Sequence, residues 1–410
     1  MINTIIGLVM LLAFIYYTYK DFKQSVVLYF VFAFLSPVLM VGPSIRCSFD
    51  IIAFPILLFS YLCRSSQVKK CSYTGVLLFC YLITSGLIIA FNNILYGGDF
   101  PFINIYATIR FIVTVIIIHS VYNGCIVDLM DNVFTFVIPI NAIMCILQMS
   151  GIIDAQLVSD LYRRSSQGAL ESYADIGILY RAVGTVGSPT VLGVISLFSY
   201  IHYFYHFLIN AKTKISYVLG ILFSVLIGLL ALSKIAILGI PLASFMLVAF
   251  YYKNINYARL FLFQLVFFLF CYSLYIVMDE SGFTVSYYIS YLENPFEAFY
   301  TRYGSGNVDS GSVGMTIDYI LKEHFFIGLG TKETVGLFYK GDSSYAILLY
   351  QSGIIGLITY ISAFIYSFFK NLFSFNRLKL VSLLLFFIVA SADNLYMAYY
   401  FILPAAFMLE

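Results

Sequence analysis

The sequence predicts an all-α fold: a polytopic integral membrane protein with about 12–13 transmembrane helices and two long external loops. Three observations carry this expectation. The 410 residues are 62% hydrophobic and 10% charged, with a mean hydropathy of +0.95, far outside the balance of a water-soluble domain. Apolar runs of about 20 residues recur along the chain, the length that crosses roughly 30 Å of hydrocarbon as a helix. The alternation of apolar and polar residues that a membrane barrel needs is not seen.

In chain order the expected spans are 2–18, 24–42, 50–63, 74–92, 103–121, 133–150, 189–208, 215–232, 235–252, 260–278, 344–366, 378–390 and 394–409. The first, INTIIGLVMLLAFIYYTY, has no basic leader and no small-residue cleavage site, so it is expected to stay as a helix. With no Trp but 36 Tyr and 41 Phe, the interfacial belts fall to tyrosines, and YYTY at 16–19 and YY at 251–252 mark run ends. The seven cysteines are scattered singly, mostly inside apolar runs, with no CxxC and no His nearby, which supports neither a disulfide framework nor a zinc site.

Basic residues in short loops orient such a chain. If the loops holding Lys20/Lys23, Arg64/Lys69/Lys70, Lys212/Lys214, Lys253/Arg259 and Lys370/Arg377/Lys379 share the cytoplasmic side, twelve basic residues gather there. Arg46 is then the one clear exception in a short external loop. The same alternation puts the two long polar segments, 151–188 and 279–343, together outside. The whole chain, 1–410, reads as one membrane domain carrying those two loops. Neither an internal repeat nor a soluble domain is seen.

The first loop ends in RAVGTVGSP, Arg181 to Pro189, directly before the apolar run TVLGVISLFSYIHYF. Pro suits a first helical turn, Ser188 suits an N-cap, and the N–H groups of such an end attract anions. An outward-facing anion pocket accounts for the arginine; ordinary helix capping accounts for everything else. Arg163 and Arg164, earlier in the loop, read as solvated charges. Two helices on, the chain turns at Ser233–Lys234 with almost no loop. Lys234 is either a second cation of the Arg181 site or a lysine snorkelling to the interface.

The second loop contains the turn-rich stretch GSGNVDSGSVG, then VGMTIDYILKEHFF. Met315, Ile317, Ile320, Leu321 and Phe325 recur there at helical spacing, which predicts a short amphipathic helix on the membrane surface. FIGLGTKE follows as a Gly-rich turn, too short and too displaced for a dinucleotide or P-loop fingerprint, so nucleotide binding is rejected. His324 reads as interfacial, and Asp393, in a tight external turn, as an Asx cap. Asp342 precedes an apolar run in DSSY, where it is either an N-cap or a carboxylate free for acid–base work. Arg110 inside TIRFIVTV is an intramembrane functional residue unless the helix boundary lies elsewhere.

The order of RxxGxxGSP before a helix, a Ser–Lys turn two helices on, a long loop ending in GLG, and DSSYAILLYQSGIIG at the next helix head resembles the O-antigen polymerases of the Wzy type. These sit within a superfamily that also holds the O-antigen ligases. The resemblance covers roughly 151–356. It implies a metal-independent, cofactor-free glycosyltransferase of the bacterial inner membrane, polymerising undecaprenyl-diphosphate-linked repeat units at the periplasmic face. Its partners would be that lipid-linked oligosaccharide, membrane lipids and a polysaccharide chain-length regulator, with no nucleic acid.

The resemblance matches Arg181, Lys234 and Asp342 to positions of the superfamily's site; residue chemistry makes Arg181 and Asp342 the catalytic pair and adds Arg302, Ser188 and Arg110 to Lys234 for diphosphate or glycan binding. The ligases place a histidine eleven residues before a glycine where this chain has Asp342 and Gly353, which favours polymerase over ligase. Lysine rather than arginine at 234 exchanges a bidentate fork for a point charge. The alternatives are a ligase, or a flippase or transporter of the lipid-linked oligosaccharide, for which two related halves would be expected.

Overall fold

The computed structural model describes residues 2–40, 46–64, 72–96, 102–153, 158, 161–162, 181–209, 215–255, 257, 260–261, 264–265, 267–268, 272, 313–331, 334–335, 338–339, 343–392, 395 and 398–410. It is an all-α membrane protein. Among these residues six helices are long and apolar enough to cross a membrane, and five apolar helices are shorter. The helices are α1 (Ile2–Lys20), α2 (Phe22–Leu35), α3 (Phe49–Cys63), α4 (Tyr73–Tyr96), α5 (Phe102–Tyr122), α6 (Ile126–Met149), α7 (Pro189–Ile209), α8 (Ile215–Leu230), α9 (Lys234–Tyr251), α10 (Val313–Glu323), α11 (Ser344–Phe373), α12 (Arg377–Ala392) and α13 (Ile402–Leu409). Two antiparallel ladders of two residues per strand add β1 (Leu39–Met40) with β2 (Arg46–Cys47), and β3 (Thr334–Val335) with β4 (Phe338–Tyr339).

The chain forms two compact units, Met1–Cys63 with Val127–Ser290, and Arg64–Ile126 with Tyr291–Glu410. Within the first, α1, α2 and α3 pack on one another, and α7 packs between α8 and α9. Asp21 separates α1 from α2 by capping the latter, its carboxylate accepting the Gln24 N–H at 3.1 Å. α2 stops at Leu35, short of the expected 42. Ser36 is extended (φ −75°, ψ 132°) because the Pro37 ring disfavours a helical residue before it. α6 starts at Ile126, seven residues before the expected 133, because Asp128, Asp131 and Asn132 are carried on its first turns instead of forming a loop.

α7 is the best-buried span of the first unit, with every residue from Val191 to Phe204 buried. Close approach of its neighbours requires small residues, as is usual between membrane helices. A side chain on Gly239 would meet Leu197 at 2.9 Å and one on Gly228 would meet Ala236 at 2.6 Å. Hydroxyls tie the same helices together: Ser199 and Ser224 lie 2.8 Å apart, and Tyr200 and Ser244 lie 2.6 Å apart.

In the second unit α11 packs against α4, α10 and α12, while α13 packs against α5 and α12. One end of this unit gathers polar anchors around the last residues. Lys370 and Lys379 donate to Glu410, Thr74 Oγ1 donates to the Leu409 carbonyl, and His119 Nε2 lies 2.8 Å from the Ala406 carbonyl. α13 begins at Ile402, later than the expected 394, after extended Ala398 and a 3₁₀ turn at Tyr399–Phe401. Most of the expected span 260–278 and most of both long loops fall outside the described residues.

Two differences concern α10 and α11. The amphipathic helix expected in the second loop is α10, and its Ile320 packs with Leu329 and Tyr350. α11 runs beyond the expected 366 to Phe373 but is broken at Gly353 (φ 61°, ψ −162°). The freed backbone groups are taken up by the turn after α10. Ile354 N–H donates to the Phe325 carbonyl at 2.8 Å, and Leu329 N–H donates to the Tyr350 carbonyl at 2.6 Å. A broken helix in a buried setting needs such replacement partners, because a backbone group left without one is costly.

Candidate functional site

The segment from Arg181 to Ser188 folds as a bend before α7. Gly184 (φ 53°), the first residue of a 3₁₀ turn at Gly184–Val186, and Gly187 (φ 68°), just after it, take left-handed conformations. A Cβ on Gly184 would also meet Asn141 Oδ1 at 2.5 Å. The glycines therefore serve the bend and its packing on α6. Ser188 holds the position before Pro189, and its carbonyl accepts the Leu192 N–H at 3.1 Å.

Two amides on α6 hold this bend. Gln148 Oε1 accepts the N–H groups of Val183 and Gly184, both at 3.1 Å. Asn141 Oδ1 accepts the Thr185 N–H at 3.0 Å, and the Thr185 hydroxyl lies 2.8 Å from the Phe34 carbonyl. Sequence reasoning missed both amides. The available signal was their spacing of seven, two turns along one face of an otherwise apolar helix.

Arg181 reaches across to the end of α8. Its Nε donates to the Ala231 carbonyl at 3.0 Å and an Nη to the Leu232 carbonyl at 3.1 Å, while Ala182 N–H donates to the Leu230 carbonyl at 3.0 Å. α8 closes in a left-handed turn at Leu232 (φ 47°), with Ser233 N–H reaching the Gly228 carbonyl at 3.3 Å. A leucine is unfavourable at such a position, and burial of its side chain offsets that cost. Arg181 is thus partly a cap: a cation on the last carbonyls of α8, where the helix dipole favours one. Two of its five N–H donors are committed to this.

Lys234 lies two residues beyond Leu232 and opens α9. It is exposed, and it stands where the helix dipole disfavours a cation. Snorkelling explains a lysine at an interface but not one at a helix N-terminus. Gly193, in the first turns of α7, abuts Ser233 so closely that a side chain there would overlap it. The N-terminal ends of α7 and α9 therefore lie side by side, and Arg181 bonds to the Ala231–Leu232 turn that Lys234 follows. Two helix N-termini with two cations make a corner that favours an anion on electrostatic grounds.

The remaining expected site residues belong to the second unit or lie outside the described residues. Arg110 is within α5, inside a stretch long and apolar enough to cross a membrane, and is 8% exposed. Asp342 and Arg302 lie outside the described residues, as do Arg163, Arg164 and Asp393. The cap of α11 is Ser343, whose side chain accepts the Ala346 N–H at 3.0 Å, so the cap that DSSY suggested is a serine. His324 lies between two tyrosines, with Nδ1 3.0 Å from the Tyr96 hydroxyl and Nε2 3.2 Å from that of Tyr319.

A further polar pair was not foreseen. His202 Nε2 lies 2.6 Å from Asp131 Oδ1, joining α7 to the first turns of α6. It is thirteen residues along α7 from Pro189, about 20 Å from the Arg181 corner. No protein-family model matches this chain, and no curated protein matches it.

Proposed function

We propose that the protein is an O-antigen polymerase, a membrane glycosyltransferase that extends undecaprenyl-diphosphate-linked repeat units at the periplasmic face of the bacterial inner membrane. The observation that carries the reading is the corner where Arg181 clasps the Ala231 and Leu232 carbonyls beside Lys234 and the heads of α7 and α9. A lipid-diphosphate donor needs positive charge where negative charge develops as its bond to the sugar breaks.

The roles are assigned residue by residue. Arg181 and Lys234 neutralise the leaving diphosphate, with Ser188 at the helix mouth. Asp342 takes the proton of the acceptor hydroxyl as its oxygen bonds to the anomeric carbon and the sugar–phosphate bond breaks. Ser343 already caps α11, which supports acid–base work rather than capping for Asp342. The gathering of Lys370 and Lys379 at one end of their unit fits a cytoplasmic side there.

One observation favours a second reading. Broken helices are a feature of transporters, and α11 is broken at Gly353, as a flippase for the lipid-linked oligosaccharide would allow. A deletion strain separates the readings through the banding of its surface polysaccharide. Loss of a polymerase leaves lipopolysaccharide capped with a single repeat; loss of a ligase leaves bare core; loss of a flippase strands the repeat inside. Asp342→Asn and Arg181→Ala should abolish elongation while the protein still inserts, and wild-type chain length in either would remove that residue from the mechanism.

A further inference from the structure

The break in α11 leaves an imbalance of hydrogen-bonding groups. The Asn92 side-chain N–H₂ donates to the Ile327 carbonyl and, at 3.4 Å, to the Gln351 carbonyl. Those two acceptors fix the orientation of the amide, so Oδ1 is the atom left over. Asn92 is 0% exposed, and its Oδ1 has no hydrogen-bond partner among the described residues. Gln351 is 1% exposed, and its Oε1 has none either.

Buried acceptors without partners are rare and costly, the more so where no bulk water is at hand. The N–H groups of Ile354 and Ile355 freed at the break are already engaged by the carbonyls of Phe325 and Phe326, and the freed Tyr350 carbonyl accepts the Leu329 N–H. The demand left at the break is for positive charge or a donor.

We propose that the break in α11 is a binding site for a monovalent alkali-metal cation, held by Asn92 Oδ1 and Gln351 Oε1 at the C-terminal end of the half-helix 344–352. The end of a half-helix carries partial negative charge, and unwound backbone at such ends is suited to small cations. Carbonyls there keep second lone pairs that can complete an oxygen shell. The side-chain ligands are neutral amides, which suits a single positive charge; divalent hard cations draw on carboxylates. The same ion would hold α4 to α11, since Asn92 and Gln351 come from those two helices, and Asn92 in turn bonds the turn after α10 through the Ile327 carbonyl. This assignment is independent of the polymerase reading.

The test uses the full chain in detergent. Its apparent unfolding midpoint is followed against NaCl, KCl and LiCl, each replaced by choline chloride to hold ionic strength constant. At least one alkali-metal salt is expected to raise the midpoint saturably by roughly 2 °C or more, and choline is not. Gln351→Met should lose that response, and Gln351→Glu should reach half-saturation at roughly tenfold lower salt. If Gln351→Met does not purify, Asn92→Asp serves in its place, its added charge lowering half-saturation in the same direction. Equal midpoints in all four salts would mean that the two oxygens meet a buried water instead, and would overturn the proposal. An undiminished response in Gln351→Met, or an unchanged half-saturation in either acidic variant, would overturn it too.

Discussion

Gly328 and Gly353 meet backbone to backbone. A Cβ on Gly328 would lie 2.7 Å from the Gly353 nitrogen, and one on Gly353 would lie 2.5 Å from the Ile327 nitrogen. Both residues have positive φ, and neither position has room for a side chain. The turn after α10 is thereby pressed into the gap that the break in α11 opens.

Gly353→Ala should be severely destabilising, because φ 61° with ψ −162° is a region that only glycine occupies comfortably. A loss of roughly 3 kcal/mol or more is expected, read as reduced yield and a lowered melting midpoint in detergent. Gly86→Ala is the control. It lies within α4 with nothing within 4 Å of its would-be Cβ, so alanine should be neutral or stabilise by up to about 1 kcal/mol. Equal behaviour of the two variants would contradict the close approach at 353.

Arg181 and Lys234 should separate by stability. Arg181→Ala leaves the Ala231 and Leu232 carbonyls without their partner and should cost about 1–3 kcal/mol besides any loss of chain elongation. Lys234→Ala removes a cation from a helix N-terminus, so its melting midpoint should hold or rise slightly while elongation falls. A Lys234→Ala variant with normal polysaccharide banding would restrict that lysine to the interface.

Gln148→Leu should unseat the bend before α7. It leaves the N–H groups of Val183 and Gly184 without their acceptor, at a cost of about 2 kcal/mol or more. Gln148→Glu keeps an acceptor in place and should be milder. Limited proteolysis between α6 and α7 would report the difference, and equal cleavage of the two variants would count against the amide's role.

His202 and Asp131 should be coupled. The histidine is buried, but the carboxylate side chain is 36% exposed, so solvent screens the pair and a coupling of about 1 kcal/mol is expected. A double-mutant cycle with His202→Ala and Asp131→Ala, read by melting, measures it. Additive effects would reduce the 2.6 Å contact to mere proximity.

Much of the fold was legible in the sequence because apolar length and turn residues are local signals. Pro189 marks a helix start that the structure keeps. The break at Gly353 was not legible, since a lone glycine in an apolar run is ordinary and the cause lies in Phe325 to Leu329, more than twenty residues earlier. The head of α7 was read as a site with its glycines and proline in the right places. The capping half of Arg181's role depends on carbonyls about fifty residues away, which no local pattern exposes. Asn141 and Gln148 were visible as two amides on an apolar helix; their targets were not.

The burial of α7 also bears on how the protein is made. It has the lowest hydropathy of the six long spans, 1.4, and its Ser196, Ser199 and Tyr200 find their partners on α8 and α9. Those two helices are synthesised later. As it leaves the ribosome α7 lacks those partners, so it is expected to be held by the insertion machinery, or against α6, until α8 and α9 arrive. Biogenesis of the first unit is therefore expected to proceed with α7, α8 and α9 as a group, and a truncation after Ile209 should be a target for membrane quality control.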